Sequence, residues 1–428
     1  MRNDRGRTVR PHEYLDTNEG PAGEERNSSQ SPAASGPLQR LSAAGVAVWL
    51  DDLSRHRLAS GSLAALVQNW PVCGVTTNPS IFENALRSGE AAYGEQIRDL
   101  AIAGADAAEA VRALTTTDVR WACEILRETY ERSGGADGYV SIEVDPYLSR
   151  NVPGTVAEAR DLFRLIGRRN VLIKIPATAE CLPAITQTLA AGIGVNVTLI
   201  FSLERYEAVQ DAFMAGLEQA RANGHDLAGI QSVASFFISR VDAEVDRRLG
   251  EDARDYLRGT AATANARLAY EKFETMLRIP RWRALEAGGA HPQRLLWAST
   301  GVKDPAYFDT RYVTELIAAR TVNTMPEETL HAVADHGVVD GDSISGTYDT
   351  SRTVLERLAL AGVDYDDVVR VLEVEGLQKF EVAWNELTST VALLLDDARA
   401  RVDRFHNPST DTAAVPRIGG PDSRSVRR

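Results

Sequence analysis

Cysteine is scarce in this sequence, and long apolar runs are missing from it. Cys73, Cys123 and Cys181 are too few and too scattered among 428 residues for a disulfide framework, which favours a reducing compartment. The sequence contains no run of about 18 apolar residues, so no membrane span is predicted. The arginine-containing N-terminus has no apolar stretch behind it and does not resemble a secretory signal. We therefore expect a cytoplasmic protein without a membrane partner.

The chain also lacks a net positive charge, since 47 basic residues stand against 60 acidic ones for a formal charge of −13. Nucleic-acid binders need a basic face, so that class is disfavoured. Lysine is rare, and the basic residues include only Lys174, Lys272, Lys303 and Lys379. A guanidinium is always protonated, so a retained lysine hints at free-amine chemistry. Chance retention explains any one of them equally well.

Composition divides the chain into three parts. Residues 1–40 are rich in Gly, Pro, Ser, Asn and charge without a hydrophobic period, which predicts a disordered extension. Residues 401–428 look similar and predict a disordered tail. The body at 41–400 holds 35 basic and 51 acidic residues, a charge near −16. Function is expected in that body.

The body alternates apolar runs with helical patterns. The runs lie at 46–50, 72–76, 139–144, 170–175, 195–201, 230–237, 295–299 and 321–325. The clearest helical patterns lie at 95–126, 156–166, 182–191, 203–222 and 240–277. Eight such units predict a single α/β domain, a (β/α)8 TIM barrel, with residues 364–400 as an extra helix across it. A doubly wound open sheet is the alternative, but residues 49–53 (WLDDL) lack its glycine fingerprint.

Polar residues gather at the carboxyl ends of these runs, where barrel enzymes place their active sites. They are Asp51, Thr77, Asn78, Glu143, Lys174, Asn196, Thr198, Ser235 and Ser299, with the aromatic Phe237 at the end of the sixth run and Lys303 just beyond the seventh. A shared site explains the clustering, because polar groups inside apolar runs are costly unless they are paired. For any one residue, the alternative is that strand ends are simply wetter than strand middles.

Lys174, within the apolar run VLIKIP, is the strongest catalytic candidate. Burial disfavours its cation and favours the free amine, the nucleophile that forms a Schiff base. A structural pair with Glu143 is the alternative. Asp51 and Glu143 are carboxylates that can move the protons of imine formation and hydrolysis. Asp51 is expected to point inward, which leaves the adjacent Asp52 to cap the following segment.

Rival catalytic systems find little support. The seven histidines include one pair near metal-ligand spacing, His331 and His336, in a helix-like segment. A metal-dependent aldolase normally needs a convergent histidine set, so a helix end with a satisfied histidine is the preferred interpretation. Neither a nucleophile elbow nor a phosphate-binding P-loop is present in the sequence. No metal and no cofactor is predicted.

Several long motifs resemble those of the transaldolase family. They are residues 74–82 (GVTTNPSIF), 141–146 (SIEVDP), 172–178 (LIKIPAT), 196–202 (NVTLIFS), 296–303 (LWASTGVK) and 321–326 (TVNTMP). The last two resemble the longer bacterial branch, and the resemblance covers about residues 41–395 in collinear order. It implies a class I, cofactor-free barrel enzyme of the pentose phosphate pathway. Such an enzyme moves a dihydroxyacetone unit from sedoheptulose 7-phosphate or fructose 6-phosphate to an aldose phosphate.

The resemblance also implies roles for individual residues. Lys174 is expected to form the Schiff base, Asp51 to handle the proton whose loss breaks the carbon–carbon bond, and Glu143 with Thr198 to hold the water. Asn78 and Asn196 are expected to hydrogen-bond donor hydroxyls, with Ser235 and Phe237 lining the site. Arg240 is expected to bind phosphate, aided by Ser299 and Lys303. The expected partners are sugar phosphates, and the expected state is a monomer or homodimer.

Two departures from the family pattern bear on specificity. The classical branch carries an arginine two residues after the serine on the seventh strand, where this chain has Gly301 with Lys303 beyond. Glu180 and Cys181 follow the lysine strand and could alter acceptor preference. The alternatives are therefore a transaldolase-like aldolase with a changed acceptor, and a barrel that binds sugar phosphate without turnover.

Overall fold

Eight parallel strands close into one barrel in a computed structural model that describes residues 36–249 and 255–406. The strands pair in chain order, and the first also pairs with the last. They are β1 (Val46–Leu50), β2 (Val72–Val75), β3 (Tyr139–Glu143), β4 (Val171–Pro176), β5 (Val195–Ile200), β6 (Ser232–Phe237), β7 (Arg294–Ala298) and β8 (Thr321–Met325). The predicted TIM barrel is confirmed, and the predicted strand ends lie within two residues of those observed.

Helices surround the strands on the outside of the barrel. They are α1 (Pro37–Ala43), α2 (Arg55–Ala59), α3 (Ser62–Asn69), α4 (Pro79–Ser88), α5 (Glu90–Ile102), α6 (Ala107–Ile125), α7 (Arg127–Arg132), α8 (Val152–Ile166), α9 (Leu182–Ala190), α10 (Leu203–Ala222), α11 (Ser239–Leu249), α12 (Ala261–Met276), α13 (Pro280–Glu286), α14 (Arg311–Thr314), α15 (Glu327–His336), α16 (Tyr348–Leu360) and α17 (Tyr365–His406). Short 3-10 turns lie at Pro146–Leu148, Leu227–Gly229 and Asp255–Leu257. Within the described part of the chain, none of these helices is long and apolar enough to cross a membrane.

The predicted helical patterns at 95–126 and 240–277 are wrong as single helices, because each is interrupted. Gly104, at φ 76°, follows α5, and Asp106 starts α6 with a capping box. The Glu109 amide donates to Asp106 Oδ1 at 2.8 Å, and the Asp106 amide donates to Glu109 Oε2 at 3.0 Å. Gly259, at φ 65°, similarly precedes α12. A capping box therefore interrupts the apolar period in the first stretch, and a left-handed glycine precedes the new helix in the second.

The floor of the barrel is filled by an indole that only a glycine can accommodate. Trp49 is fully buried and pairs in register with Gly74 on β2. A Cβ on Gly74 would lie 2.3 Å from Trp49 Cε2, which is inside van der Waals contact. Because alternate strand residues share a face, Asp51 lies one layer above Trp49. The packed floor thus leaves the carboxyl ends of the strands as the open end.

The long helix α17 packs against α4, α5, α6 and α11 and also touches β5. Gly376 allows that approach, since a Cβ there would lie 3.0 Å from Leu199 Cδ2. Leu199 has φ 61° at an irregularity of the β5–β6 pairing, a left-handed conformation that is strained for leucine. The predicted C-terminal helix across the barrel is therefore present and seated on the end of β5.

The folded body extends slightly past the boundaries predicted for it. Helix α1 begins at Pro37 and buries Leu38 and Leu41, and α17 continues to His406. The predicted extensions otherwise fall on residues 1–35 and 407–428, which lie outside the described part of the chain. The division into a barrel and two disordered tails stays a prediction.

A buried ionic cluster joins α2, α5 and α6 near the barrel wall. Arg55 Nε donates to Asp118 Oδ1 at 2.5 Å, and the Tyr93 hydroxyl donates to Asp118 Oδ2 at 2.9 Å. The Arg55 guanidinium lies 4.5 Å from the centroid of the Tyr93 ring. Arg55 is 8% exposed and Asp118 is fully buried. Removal of either charge would leave the other without its partner in a site with little access to water.

Candidate active site

A pocket of about 200 Å³ occupies the open end of the barrel. Eight predicted site residues line it: Asp51, Asn78, Lys174, Ser235, Phe237, Arg240, Ser299 and Lys303. The other three, Glu143, Asn196 and Thr198, are buried on the neighbouring strands β3 and β5 and do not line this pocket. The carboxyl ends of parallel strands thus bring together residues that are up to 252 positions apart in the sequence.

Lys174 lies near the end of β4 with its amine buried among polar groups. The side chain is 6% exposed, and Nζ donates to the Thr77 carbonyl at 2.9 Å. Glu143 Oε2 lies 3.6 Å from the same nitrogen. The centroid of the Phe380 ring is 5.9 Å away. The amine is therefore held between a carbonyl, a carboxylate and an aromatic face at one side of the pocket.

Glu143 and Thr198 have no hydrogen-bond partners for their side-chain oxygens within the described residues. Both oxygens of Glu143 and the hydroxyl of Thr198 are buried. Burial raises the pKa of Glu143 to about 7, against the opposing effect of Lys174. A buried oxygen without a partner is costly, so these groups can bind water or a substrate atom.

Asp51 is held by a chain of hydroxyls that the sequence did not point to. Thr76 Oγ1 donates to Asp51 Oδ1 at 2.6 Å and lies 2.6 Å from Thr324 Oγ1, which then donates to it. Burial raises the pKa of Asp51, and the Thr76 hydrogen bond acts against that shift. Asp52 points elsewhere and pairs with Arg57 at 2.7 Å, while Ser54 and not Asp52 caps α2. The inward orientation chosen for Asp51 therefore agrees with the pocket.

Amide and hydroxyl groups form a second polar row across the barrel. Asn196 Nδ2 donates to Ser141 Oγ at 3.0 Å, and Ser235 Oγ donates to Asn196 Oδ1 at 2.7 Å. Asn78 caps α4 by accepting the Ile81 amide at 3.0 Å, and it also lines the pocket. Asn196 is already engaged on both sides, so of the two predicted asparagines Asn78 has the more direct access to a ligand.

Arg240 is the cationic side chain at the far side of the pocket. Its guanidinium lies 5.1 Å from the centroid of the Phe237 ring, and its buried Nη1 has no hydrogen-bond partner among the described residues. A buried guanidinium nitrogen without a partner is suited to bind an oxyanion. Lys303 lines the same pocket beside Gly301 and remains exposed. Ser299, at φ 57°, lies 2.9 Å from Ser239 Oγ and ties β7 to the start of α11.

Phe380 is the functional position that sequence reasoning missed most clearly. It lies on α17, far along the chain from the strands, and it lines the pocket facing Lys174. Its spacing in an amphipathic pattern looks like ordinary helix core, and no motif marks it. Thr76 and Thr324 could have been found, since both adjoin motifs at strand ends.

The remaining candidates do not reach the pocket. Cys181 is buried with its sulfur 3.7 Å from Thr155 Oγ1, and Glu180 is exposed, 3.8 Å from Arg150. Neither residue lines the pocket, so no direct contact with the pocket supports the expected influence on acceptor choice. His336 contacts Asp335 and Asp309 on the surface. In the described ranges no group of three His, Cys, Asp or Glu side chains is placed to hold a metal ion.

Comparison with known proteins finds extensive similarity over most of the chain. The family model described as Transaldolase/Fructose-6-phosphate aldolase matches residues 48–391. A transaldolase of Parafrankia sp. (strain EAN1pec) is 60% identical over 365 residues, which cover 85% of this chain and 99% of the relative. A transaldolase of Frankia alni is 59% identical, with 84% and 97% covered. Transaldolase 1 of Streptomyces avermitilis is 58% identical, with 84% and 95% covered.

Proposed function

The chain belongs to the transaldolase/fructose-6-phosphate aldolase family, and we propose that it is a transaldolase that moves a dihydroxyacetone unit between sugar phosphates through a Schiff base at Lys174. The family resemblance seen in the motifs is confirmed. One observation carries the mechanism: the buried Lys174 amine shares a pocket with Asp51 and lies 3.6 Å from Glu143. A nucleophile beside two carboxylates is the arrangement that imine chemistry requires.

The amine of Lys174 attacks the ketone carbon of the donor, and loss of water gives a protonated imine. The imine withdraws electrons, so the bond between the α- and β-carbons can break when the β-hydroxyl loses its proton. Asp51 receives that proton, supported by the hydrogen bond from Thr76. The aldose leaves, and a three-carbon enamine remains on Lys174.

The enamine then attacks an incoming aldehyde, and Asp51 returns the proton to the new hydroxyl. Exclusion of water lets the enamine wait for an acceptor instead of being protonated and released. Phe380 and Phe237 supply apolar faces around the pocket for that purpose. Hydrolysis of the product imine regenerates the amine, with Glu143 and Thr198 holding the water.

Arg240 is assigned to the phosphate group of the sugar, with Lys303 as a second cation nearby. The charge of the body is near −16, so a local pair of cations must overcome the overall repulsion of an anionic substrate. Phosphate binding far from the reacting carbons supplies positioning energy.

Borohydride trapping tests the proposal. Reduction in the presence of fructose 6-phosphate is expected to leave a three-carbon unit on Lys174, found by peptide mass spectrometry. Product analysis with and without erythrose 4-phosphate then separates a transferase from a simple aldolase, because an aldolase releases dihydroxyacetone without an acceptor. A wild-type protein that stays unlabelled would refute the Schiff base.

Substitution of Arg240 tests the phosphate assignment. We expect Arg240→Ala to raise KM for fructose 6-phosphate by about tenfold to a hundredfold, the value of a lost charge-assisted hydrogen bond, and to leave KM for fructose nearly unchanged. Arg247→Ala is the matched control, since Arg247 lies on the same helix but is exposed and paired with Glu244. Equal effects of Arg240→Ala on both donors would contradict the assignment.

The pH profile tests Glu143. Its raised pKa of about 7 predicts that kcat/KM falls as pH drops below 7, because the carboxylate that holds the water becomes protonated. In Glu143→Gln the remaining activity is expected to lack that inflection. Glu83→Gln serves as control, since Glu83 is buried but pairs with Arg87 outside the pocket. If the inflection of kcat/KM against pH is unchanged in Glu143→Gln, then a group other than Glu143 causes it.

The raised pKa of Glu143 also predicts how the free energy of unfolding changes with pH. The folded protein binds the Glu143 proton more tightly than the unfolded chain, whose carboxyl titrates near 4.5. The free energy of unfolding therefore falls as pH rises from 4.5 towards 7. Glu143→Gln is expected to remove this part of the fall, measured by denaturant melts at pH 5 and pH 8.

A further inference from the structure

A second cavity lies between β3 and the helices α4, α6, α8 and α17. Its volume is about 100 Å³, half that of the pocket beside Lys174. Glu143 and the apolar side chains of Phe82 and Leu162 are buried in its wall, while Arg112 and Thr388 are partly exposed. The cavity therefore extends from the neighbourhood of Glu143 to the surface of the protein.

Glu143 lines this second cavity and not the pocket that holds Lys174. The residue is 7% exposed, and neither carboxylate oxygen has a hydrogen-bond partner among the described residues. Asn78 lines both spaces. The Lys174 amine, 3.6 Å away, is an ionic partner but does not satisfy the hydrogen-bonding capacity of these oxygens, so a group that enters the site can donate to them.

The chemistry of the cavity suits a small neutral molecule with hydrogen-bond donors. Its charged rim is largely satisfied, since Arg112 Nη2 contacts Glu158 Oε2 at 2.8 Å and Asp145 Oδ1 accepts the Tyr147 amide at 2.9 Å. A molecule with a negative charge would meet the carboxylates of Glu143, Asp145 and Glu158. The volume is enough for about three water molecules at roughly 30 Å³ each.

We propose that this cavity is the water reservoir of the imine chemistry and that it supplies water to Glu143. The inference rests on the proposed function. Imine formation converts the amine of Lys174 and the ketone into a carbon–nitrogen double bond and one water molecule, and hydrolysis consumes one water molecule to restore both. The water leaves into the cavity, exchanges with solvent there, and returns when the product is released.

A passage separate from the sugar pocket solves a problem of access. A sugar in the pocket beside Lys174 would share that space with any water entering through it, and the Phe380 ring lies 5.9 Å from the Lys174 amine. Water that had to pass along this route would also reach the enamine, which must stay dry until the acceptor arrives. Delivery beside Glu143, whose Oε2 lies 3.6 Å from the Lys174 amine, brings water to the imine without passage through the sugar pocket.

Filling the cavity from α17 tests the inference. Thr388 lines the cavity and is half-buried. Its hydroxyl donates to the Trp384 carbonyl of its own helix at 2.8 Å. Thr388→Leu adds bulk to the space, and Thr388→Val is the control of nearly equal volume. Ala108→Leu with Ala108→Ser as control repeats the test from α6, in case the first substitution disturbs the helix packing.

Two readouts separate a blocked reservoir from general damage. With fructose 6-phosphate and erythrose 4-phosphate present, we expect the leucine variants to lose about tenfold in kcat, or about 1.4 kcal/mol in barrier, and to hold more of the enzyme as the adduct trapped by borohydride. In ¹⁸O-labelled water, ketose recovered after brief turnover is expected to carry label at the carbonyl with wild-type enzyme. With the leucine variants, the water released on imine formation is expected to return before it exchanges with solvent. The recovered ketose should then carry more unlabelled carbonyl oxygen.

The outcomes distinguish the inference from the function on which it rests. Wild-type enzyme that forms no adduct overturns the transaldolase mechanism and the reservoir together. The reservoir alone is overturned by a different result. In that case borohydride traps the adduct on the wild-type enzyme, and the leucine variants match the valine and serine controls in adduct level and in oxygen exchange.

Discussion

Replacement of Lys174 by arginine is expected to reduce kcat by at least about 10⁴-fold, a loss typical of removing a covalent nucleophile. Arginine keeps the positive charge and is one atom longer than lysine, so it can still reach Glu143 and the Thr77 carbonyl. A guanidinium cannot become a free amine, and no imine can form. The variant is expected to fold, because the charge is retained beside its carboxylate partner.

The measurement combines steady-state rates with borohydride labelling. Lys379→Arg is the matched control, because Lys379 is an exposed lysine on α17, next to Phe380 in sequence, and it pairs with Glu375. It should keep wild-type rates and labelling. Retention of more than about one-hundredth of the activity by Lys174→Arg would show that the reaction does not pass through this amine.

Loss of the Asp118 carboxylate is expected to cost about 3–5 kcal/mol of stability, the value measured when one partner of a buried ion pair is removed. Asp118→Ala leaves the Arg55 guanidinium buried without its partner and the Tyr93 hydroxyl without an acceptor. The nearby Tyr93 ring cannot replace a carboxylate. The shift should be visible in the midpoint of urea unfolding, followed by circular dichroism.

A surface pair provides the contrast for that experiment. Glu128 pairs with Arg132 on α7 at 3.2 Å, and both side chains are largely exposed. Glu128→Ala should change stability by less than about 1 kcal/mol, since exposed ion pairs contribute little. A loss of similar size in Asp118→Ala would mean that water reaches the Arg55 guanidinium after the substitution.

The strands were predictable because a parallel barrel buries both faces of each strand. The run VLIKIP is apolar except for Lys174, and the position of that exception at a strand end singled out the proposed nucleophile. The helix breaks at Gly104 and Gly259 were not predicted, because each depends on a few local backbone bonds while the apolar period continues across them.

The site was predictable only in so far as it lies on strands. Asp51 follows from its place at a strand end, whereas Arg240 was expected only from the family resemblance, and both line the pocket. Phe380 lies on a helix that follows the eight strands in the sequence, and a single sequence carries no signal for which face of that helix meets the mouth. The cavity behind Glu143 is equally hidden, because its walls come from four separate helices.

The position of α17 in the chain also sets the order in which a ribosome delivers the working parts. All eight strands, with Lys174, are made before the helix that carries Gly376 and Phe380. The cover of the pocket is therefore encoded apart from the strands that carry the amine. A transcript truncated before this helix would encode the strands and Lys174 but not Phe380, so enclosure of the amine depends on a segment that lies outside the eight strands.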